Sequence, residues 1–153
     1  MDQTQQTQEL IELLFFAYRD FTADADAILK EIGFGRAHHR ALHFIDRQPD
    51  LSVAELLDLL GITTQSLARV LRNLVDAGYV TQSRNSQDKR KQELRLSPQG
   101  IGLIAKLRAP QSRRIEEALA KTGQSGQKTM AFLENMLDRE SLAQRKRLSQ
   151  PKV

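Results

Sequence analysis

Cysteine is absent from these 153 residues, and that one absence excludes a disulfide scaffold, a cysteine-ligated zinc finger, a thiol nucleophile and a thiol redox sensor. Long apolar runs are absent too. The longest, Leu13-Leu14-Phe15-Phe16-Ala17-Tyr18, is six residues, against about 20 for a bilayer span, so no membrane partner is expected. The opening residues Met1-Asp2-Gln3-Thr4-Gln5-Gln6 lack the basic segment and apolar stretch of a secretory signal, and a cytoplasmic location is expected. Paired carboxylates, a glycine-rich phosphate loop and a histidine-supported nucleophile are also missing at recognisable spacing, so an enzyme is not expected. What is present is the make-up of an ordinary folded domain: 40% hydrophobic and 27% charged residues, at a length that supports one real core.

The net charge of +4 is unevenly spread. Residues 1–60 carry five basic and eleven acidic groups, residues 61–97 seven and three, and residues 98–153 eleven and five. Ends of opposite sign can attract one another, within a chain or between chains, and the basic parts suit a polyanion. Solvated helix faces would produce the same tally.

Between residues 8 and 32, Leu14, Tyr18, Phe21, Ala25, Ile28 and Ile32 recur at alternating spacings of four and three, the seam of one long helix. Gly33 and Gly35 interrupt it. A second helix is predicted over 36–47, ending before Pro49, with Ala41, Leu42 and Ile45 as its apolar stripe, on which His38 also falls. Ser52-Val53-Ala54-Glu55 reads as a capping box that opens a short helix with Val53, Leu56, Leu57 and Leu60 on one face. Gly61 turns the chain, Thr63 or Thr64 caps the next helix, and Leu67, Val70, Leu71 and Leu74 repeat the pattern up to Gly78. Two short helices with matching buried faces around a glycine turn are a helix-turn-helix signature. Tyr79-Val80-Thr81 and Glu93-Leu94-Arg95-Leu96 then read as strands of a hairpin with a basic tip. Ser97-Pro98 restarts helix; helices are predicted over 98–121, with a kink or break at Pro110, and over 127–148. The glutamine-rich start and the Ser149-Gln150-Pro151-Lys152-Val153 end read as disordered. The expected class is mainly α with a small β-hairpin.

On the helix that follows Thr63, a rotation of 100° per residue sets Gln65, Arg69 and Arg72 opposite the leucines, flanked by Ser66 and Asn73. Arginine and amide side chains are those that read guanine and adenine edges in the major groove. A generic solvated face is the plainer reading. Thr63 and Thr64 stand at the same helix end, and Arg84, Asp88, Lys89, Arg90 and Lys91 crowd the hairpin loop, where cations reach phosphates or a minor groove. Asp88 cannot favour DNA by charge; it either holds Arg90 in place or tempers the loop's self-repulsion.

These segments together, Ser52-Val53-Ala54-Glu55-Leu56, Gly61 to Leu71, Leu74-Val75-Asp76-Ala77-Gly78-Tyr79-Val80, Asp88-Lys89-Arg90 and Leu94-Arg95-Leu96-Ser97-Pro98-Gln99-Gly100, resemble the MarR family of bacterial transcription regulators along the whole chain and in order. The resemblance implies a winged helix-turn-helix, mainly α with a small β-hairpin wing, whose long N- and C-terminal helices dimerise: residues 1–34 and 98–153 for dimerisation and 35–97 for a DNA-binding lobe. It further implies a homodimer, a near-palindromic operator in double-stranded DNA, usually repression, and often release by a small ligand. Asp88 and Arg90 fit the family's Asp-x-Arg wing tip, whereas Asn85-Ser86 stands where an aspartate-proline is usual. Gly35-Arg36-Ala37-His38-His39-Arg40 resembles more loosely the PetP-type branch.

His38, His39 and His43 share one helix. His39 and His43, four apart, have the spacing of helical metal ligands, so a metal or haem effector site is one reading; the plainer one packs His38 in the core and leaves the pair at an interface or in solvent. No cofactor is otherwise implied. A winged-helix module that joins proteins without reading DNA is the alternative function.

Overall fold

The structure is a computed structural model that describes residues 2–150. Helix α1 runs over Gln3–Glu31, α2 over Arg36–Arg47, α3 over Val53–Leu60 and α4 over Thr64–Asp76. Strands β1 (Leu51–Ser52), β2 (Val80–Arg84) and β3 (Gln92–Leu96) form an antiparallel sheet in the order β1-β3-β2. Helices α5 (Pro98–Thr122), α6 (Gly126–Asn135) and α7 (Arg139–Leu148) complete the chain. Among the described residues no helix is long and apolar enough to cross a membrane.

The capping box forms as the sequence predicts. Ser52 Oγ accepts from Glu55 N–H at 3.1 Å and Glu55 returns the contact to Ser52 N–H at 2.9 Å. Gly61 closes α3 at φ +61°, a left-handed turn that costs a side-chain-bearing residue steric strain, and Thr63 caps α4 through Ser66 N–H. The core gathers Leu56 and Leu60 of α3, Leu67, Val70, Leu71 and Leu74 of α4, Ala41, Leu42 and Ile45 of α2, and Val80 and Leu94 of the sheet. Only the last third of α1, with Ala25 and Leu29, and the first third of α5, with Leu103, Ile104 and Leu107, reach this core. Gly100 sits at the closest approach of α5 to the sheet, and a Cβ there would lie 2.0 Å from the Tyr79 carbonyl oxygen.

Several expectations need correction. The glutamine-rich start is ordered: α1 begins at Gln3, capped by Asp2, whose carboxylate accepts from Gln5 N–H at 2.7 Å. The six-residue seam is only partly buried, with Tyr18 and Ile32 exposed and Thr22, Ala25 and Leu29 forming the buried stripe, because it is the later turns of α1 that reach the core, while Leu10, Ile11, Leu13, Phe15 and Phe16 lie exposed. Pro110 does not break α5, which continues through it. The helix predicted over 127–148 is two, because Asp138 caps a fresh start, accepting from Ser141 N–H at 2.7 Å. Strand β1, two residues paired as Leu51↔Leu94 and Ser52↔Glu93, is too short to leave a periodic signal. At the other end Ser149 and Gln150 close the last turn of α7, and residues 151–153 lie outside the described residues.

Candidate nucleic-acid interface

Helix α4 buries Leu67, Val70, Leu71 and Leu74 against the lobe, which turns Gln65, Ser66, Arg69 and Arg72 outward, all exposed. Thr64 is exposed in the first turn. Thr63 and Ser66 are partly committed to the cap, their hydroxyls 2.9 Å apart. Asn73 departs from the expected reading face: half-buried, it turns its amide toward His38 Nε2 at 3.2 Å.

The hairpin registers Val80 with Leu96 and Arg84 with Gln92, so its loop is 85–91, carrying Asp88, Lys89, Arg90 and Lys91. Asn85 builds the turn. Its Oδ1 accepts from the N–H groups of Gln87 at 2.7 Å and Asp88 at 2.9 Å, its own N–H donates to the Lys91 carbonyl, and its Nδ2 donates to Glu93. An asparagine at this place supplies the local backbone acceptor that turns require. Asp88 Oδ1 accepts from the backbone N–H of Arg90 at 3.0 Å, so it orders the loop without engaging a guanidinium. Arg90 and Lys91 also border a groove of about 430 Å³ that runs to Thr64 and Ala68 of α4, so wing and helix form one surface.

Ion pairing divides the basic side chains, with Arg40, Arg47, Arg113, Arg139 and Arg145 outside this surface unpaired among the described residues as well. Arg19, Arg36, Arg95, Arg108, Arg114 and Arg147 each meet an aspartate. Among the described residues Arg69, Arg72, Arg84, Lys89, Arg90 and Lys91 make no such pair. Their charge is left for an external anion.

Residues 32–91 match the profile of the MarR family. The HTH-type transcriptional regulator PetP of Rhodobacter capsulatus is 47% identical over 119 residues, which span 78% of this chain and 72% of PetP. The chain belongs to the MarR family. The HTH-type transcriptional repressor Mb2911 of Mycobacterium bovis is 29% identical over 115 residues, 65% of this chain and 83% of that protein. Streptococcus pneumoniae FabT, solved in complex with DNA, shares the fold at a TM-score of 0.69 and 18% identity, over 85% of this chain and 92% of FabT. In this MarR-family chain α3, the turn at Gly61 and α4 are the helix-turn-helix, and β2 and β3 are the wing.

The histidines of α2 separate. His38 leaves the other two, stacking on Phe34 at 4.5 Å with the planes 5° apart. His39 and His43 line a cavity of about 310 Å³ between α1, α2 and α5, with Tyr18, Phe21, Thr22, Asp26, Arg36, Arg40, Phe44 and Gln111. Arg36 is anchored there by Asp26 at 3.0 Å and by Thr22 Oγ1 at 3.2 Å, and the hydrogen bond and charge of Asp26 raise its pKa. Burial lowers all three imidazoles, Arg108 adding to the effect at His39 and His43 while Asp26 opposes it at His39. Among the described residues no three histidine, aspartate or glutamate side chains are grouped to hold a metal ion. Sequence reasoning missed Arg36, Tyr18 and Gln111, which meet only when α1 and α5 close over α2.

Proposed function

We propose that this transcription regulator is a homodimeric repressor that binds a near-palindromic site in double-stranded DNA and is released by a small ligand. The observation that carries the reading is the exposed surface on which Gln65, Arg69 and Arg72 of α4 stand beside the wing cations Arg84, Lys89, Arg90 and Lys91, none of these cations ion-paired among the described residues. Gln65, Arg69 and Arg72 would meet base edges in the major groove, Thr63, Thr64 and Ser66 the phosphates at the helix end, and Arg84, Lys89, Arg90 and Lys91 the backbone or adjacent minor groove. DNA in the FabT crystal and the name of Mb2911 support DNA binding and repression. Residues 1–34 and 98–153 would dimerise and 35–97 would read DNA, with α1 and α5 lending Ala25, Leu29, Leu103, Ile104 and Leu107 to the lobe's core. The small ligand would lie in the α1–α2–α5 cavity, where differential affinity for two lobe separations would shift DNA binding.

Selection of bound sites from random duplex DNA, followed by titration with single variants, tests the reading. Arg69→Ala or Arg72→Ala is expected to cost about 1–3 kcal/mol on the selected site and to relax base preference. Lys89→Ala is expected to weaken all sequences alike and to lower the salt slope by about one. Equal losses on selected and random DNA for both arginines would mean that they touch only phosphate. Binding that does not weaken with salt would favour a protein partner over DNA.

A further inference from the structure

His38 is the histidine that the cavity does not use. It occupies the third position of α2, where a glutamate or glutamine usually closes a capping box, and its Nδ1 accepts from Gly35 N–H at 3.1 Å. With Nδ1 accepting, the neutral ring carries its proton on Nε2. That nitrogen faces the Asn73 amide at 3.2 Å, and a half-turn of the amide presents its oxygen as acceptor. One ring therefore joins the start of α2 to a side chain of α4 that is 35 residues away in sequence. Phe34 stacks on the ring and meets Tyr79 edge-on at 5.8 Å, and the Tyr79 backbone N–H donates to the Leu74 carbonyl at the joint between α4 and the wing. The same turn of α2 presents Arg36, His39 and Arg40 to the cavity.

We propose that His38 is a positioning residue for sequence reading, setting the rotation of α4 about its own axis by tying Asn73 to the Gly35 N–H that opens α2. The proposal rests on the reading that α4 contacts bases. Hydrogen bonds to base edges weaken steeply with angle, whereas contacts with phosphate carry no sequence information and survive small rotations. Loss of the tie should therefore reduce discrimination between sequences more than it reduces binding as such.

Two substitutions divide the ring's two nitrogens. His38→Asn keeps an acceptor close to the position of Nδ1, so the Gly35 contact survives, and loses the reach to Asn73. His38→Gln reaches as far as Nε2 and keeps a donor for Asn73. Both are measured by the ratio of affinities for the duplex selected by the wild-type protein and for a random duplex. His38→Asn is expected to lower that ratio about tenfold, the scale of one hydrogen bond, while His38→Gln stays near wild type. A His38→Asn protein that discriminates as well as wild type overturns the proposal, as does one that loses affinity equally for both duplexes. A wild-type protein that enriches no sequence overturns the DNA reading beneath it, and this proposal falls with it.

Discussion

Asn85 shows how one side chain can stand in for a stiffer motif. Two backbone N–H groups converge on its Oδ1, and its Nδ2 donates across the hairpin to Glu93, so the wing is turned without proline. Asn85→Ala leaves both N–H groups without that acceptor in an exposed loop, where water replaces it. Little change in melting temperature is expected, with a measurable loss of affinity for DNA as the loop's cations lose their fixed positions; calorimetry and anisotropy titration check the two halves. Histidine protonation belongs to the same scale. Because burial lowers His38, His39 and His43, each binds a proton more readily in the unfolded chain than in the folded one. Their contribution to stability is complete above about pH 6.5, the ordinary imidazole value, and is lost as pH falls below it toward the folded-state values. Melting midpoints recorded from pH 7.5 downward are expected to decline from that point, and a variant with all three histidines replaced by glutamine should decline less.

Helix ends and one helix crossing decide the architecture at the element scale. Ser52→Ala removes the acceptor for Glu55 N–H and is expected to cost about 1 kcal/mol, roughly 2–4 °C in melting temperature for a domain of this size. Gly100→Ala is a harsher change. The added methyl would meet the Tyr79 carbonyl oxygen at 2.0 Å, so α5 must move away from the joint where Ser97 Oγ donates to the Gly78 carbonyl at 2.5 Å. A loss of about 1–3 kcal/mol or more is expected from such overpacking, and thermal melts of the two variants side by side should rank them in this order. Gly100 was legible in the sequence as part of a motif. Its reason lies in a distance between α5 and the strand joint that no local pattern contains.

The whole molecule pairs its acidic beginning with its basic end. Asp24 meets Arg114 at 3.2 Å, Asp46 meets Arg108 at 2.5 Å, and Asp58 meets Arg147 at 3.7 Å, each bond joining the first 60 residues to the last 56. These contacts are exposed and individually weak, so they orient the terminal helices more than they stabilise them. The apolar surface is the larger matter. Phe15 is 73% exposed and Leu13 61% on α1, and Phe132 and Met136 stand open at the end of the chain, a concentration that monomeric proteins seldom leave to water. Sedimentation is expected to show a dimer at micromolar concentration, and Phe15→Asp combined with Phe132→Asp to shift it toward monomer with helical content retained. A folded, stable wild-type monomer under those conditions would defeat the dimer. If two copies do pair, selected sites should show half-site centres about 10 base pairs apart.

What the sequence determined by itself is what short range controls. Capping residues, a left-handed glycine and the three-and-four spacing of leucines located α2, α3 and α4 almost to the residue, because each signal acts within one or two helical turns. The opposite faces of α4 followed from the same periodicity, so Gln65, Arg69 and Arg72 were legible as outward side chains. Tertiary structure alone decided what depends on neighbours distant in the chain. It turned Asn73 inward to His38, parted His38 from His39 and His43, and joined Arg36 to Asp26 beside Gln111 of α5. It also assigned the two-residue strand β1, defined by the pairing of Leu51 with Leu94 and Ser52 with Glu93 along β3. The break before Asp138 was written in the sequence as a capping residue, yet the apolar pattern on either side masked it, because periodicity continues across a turn that a single side-chain hydrogen bond restarts.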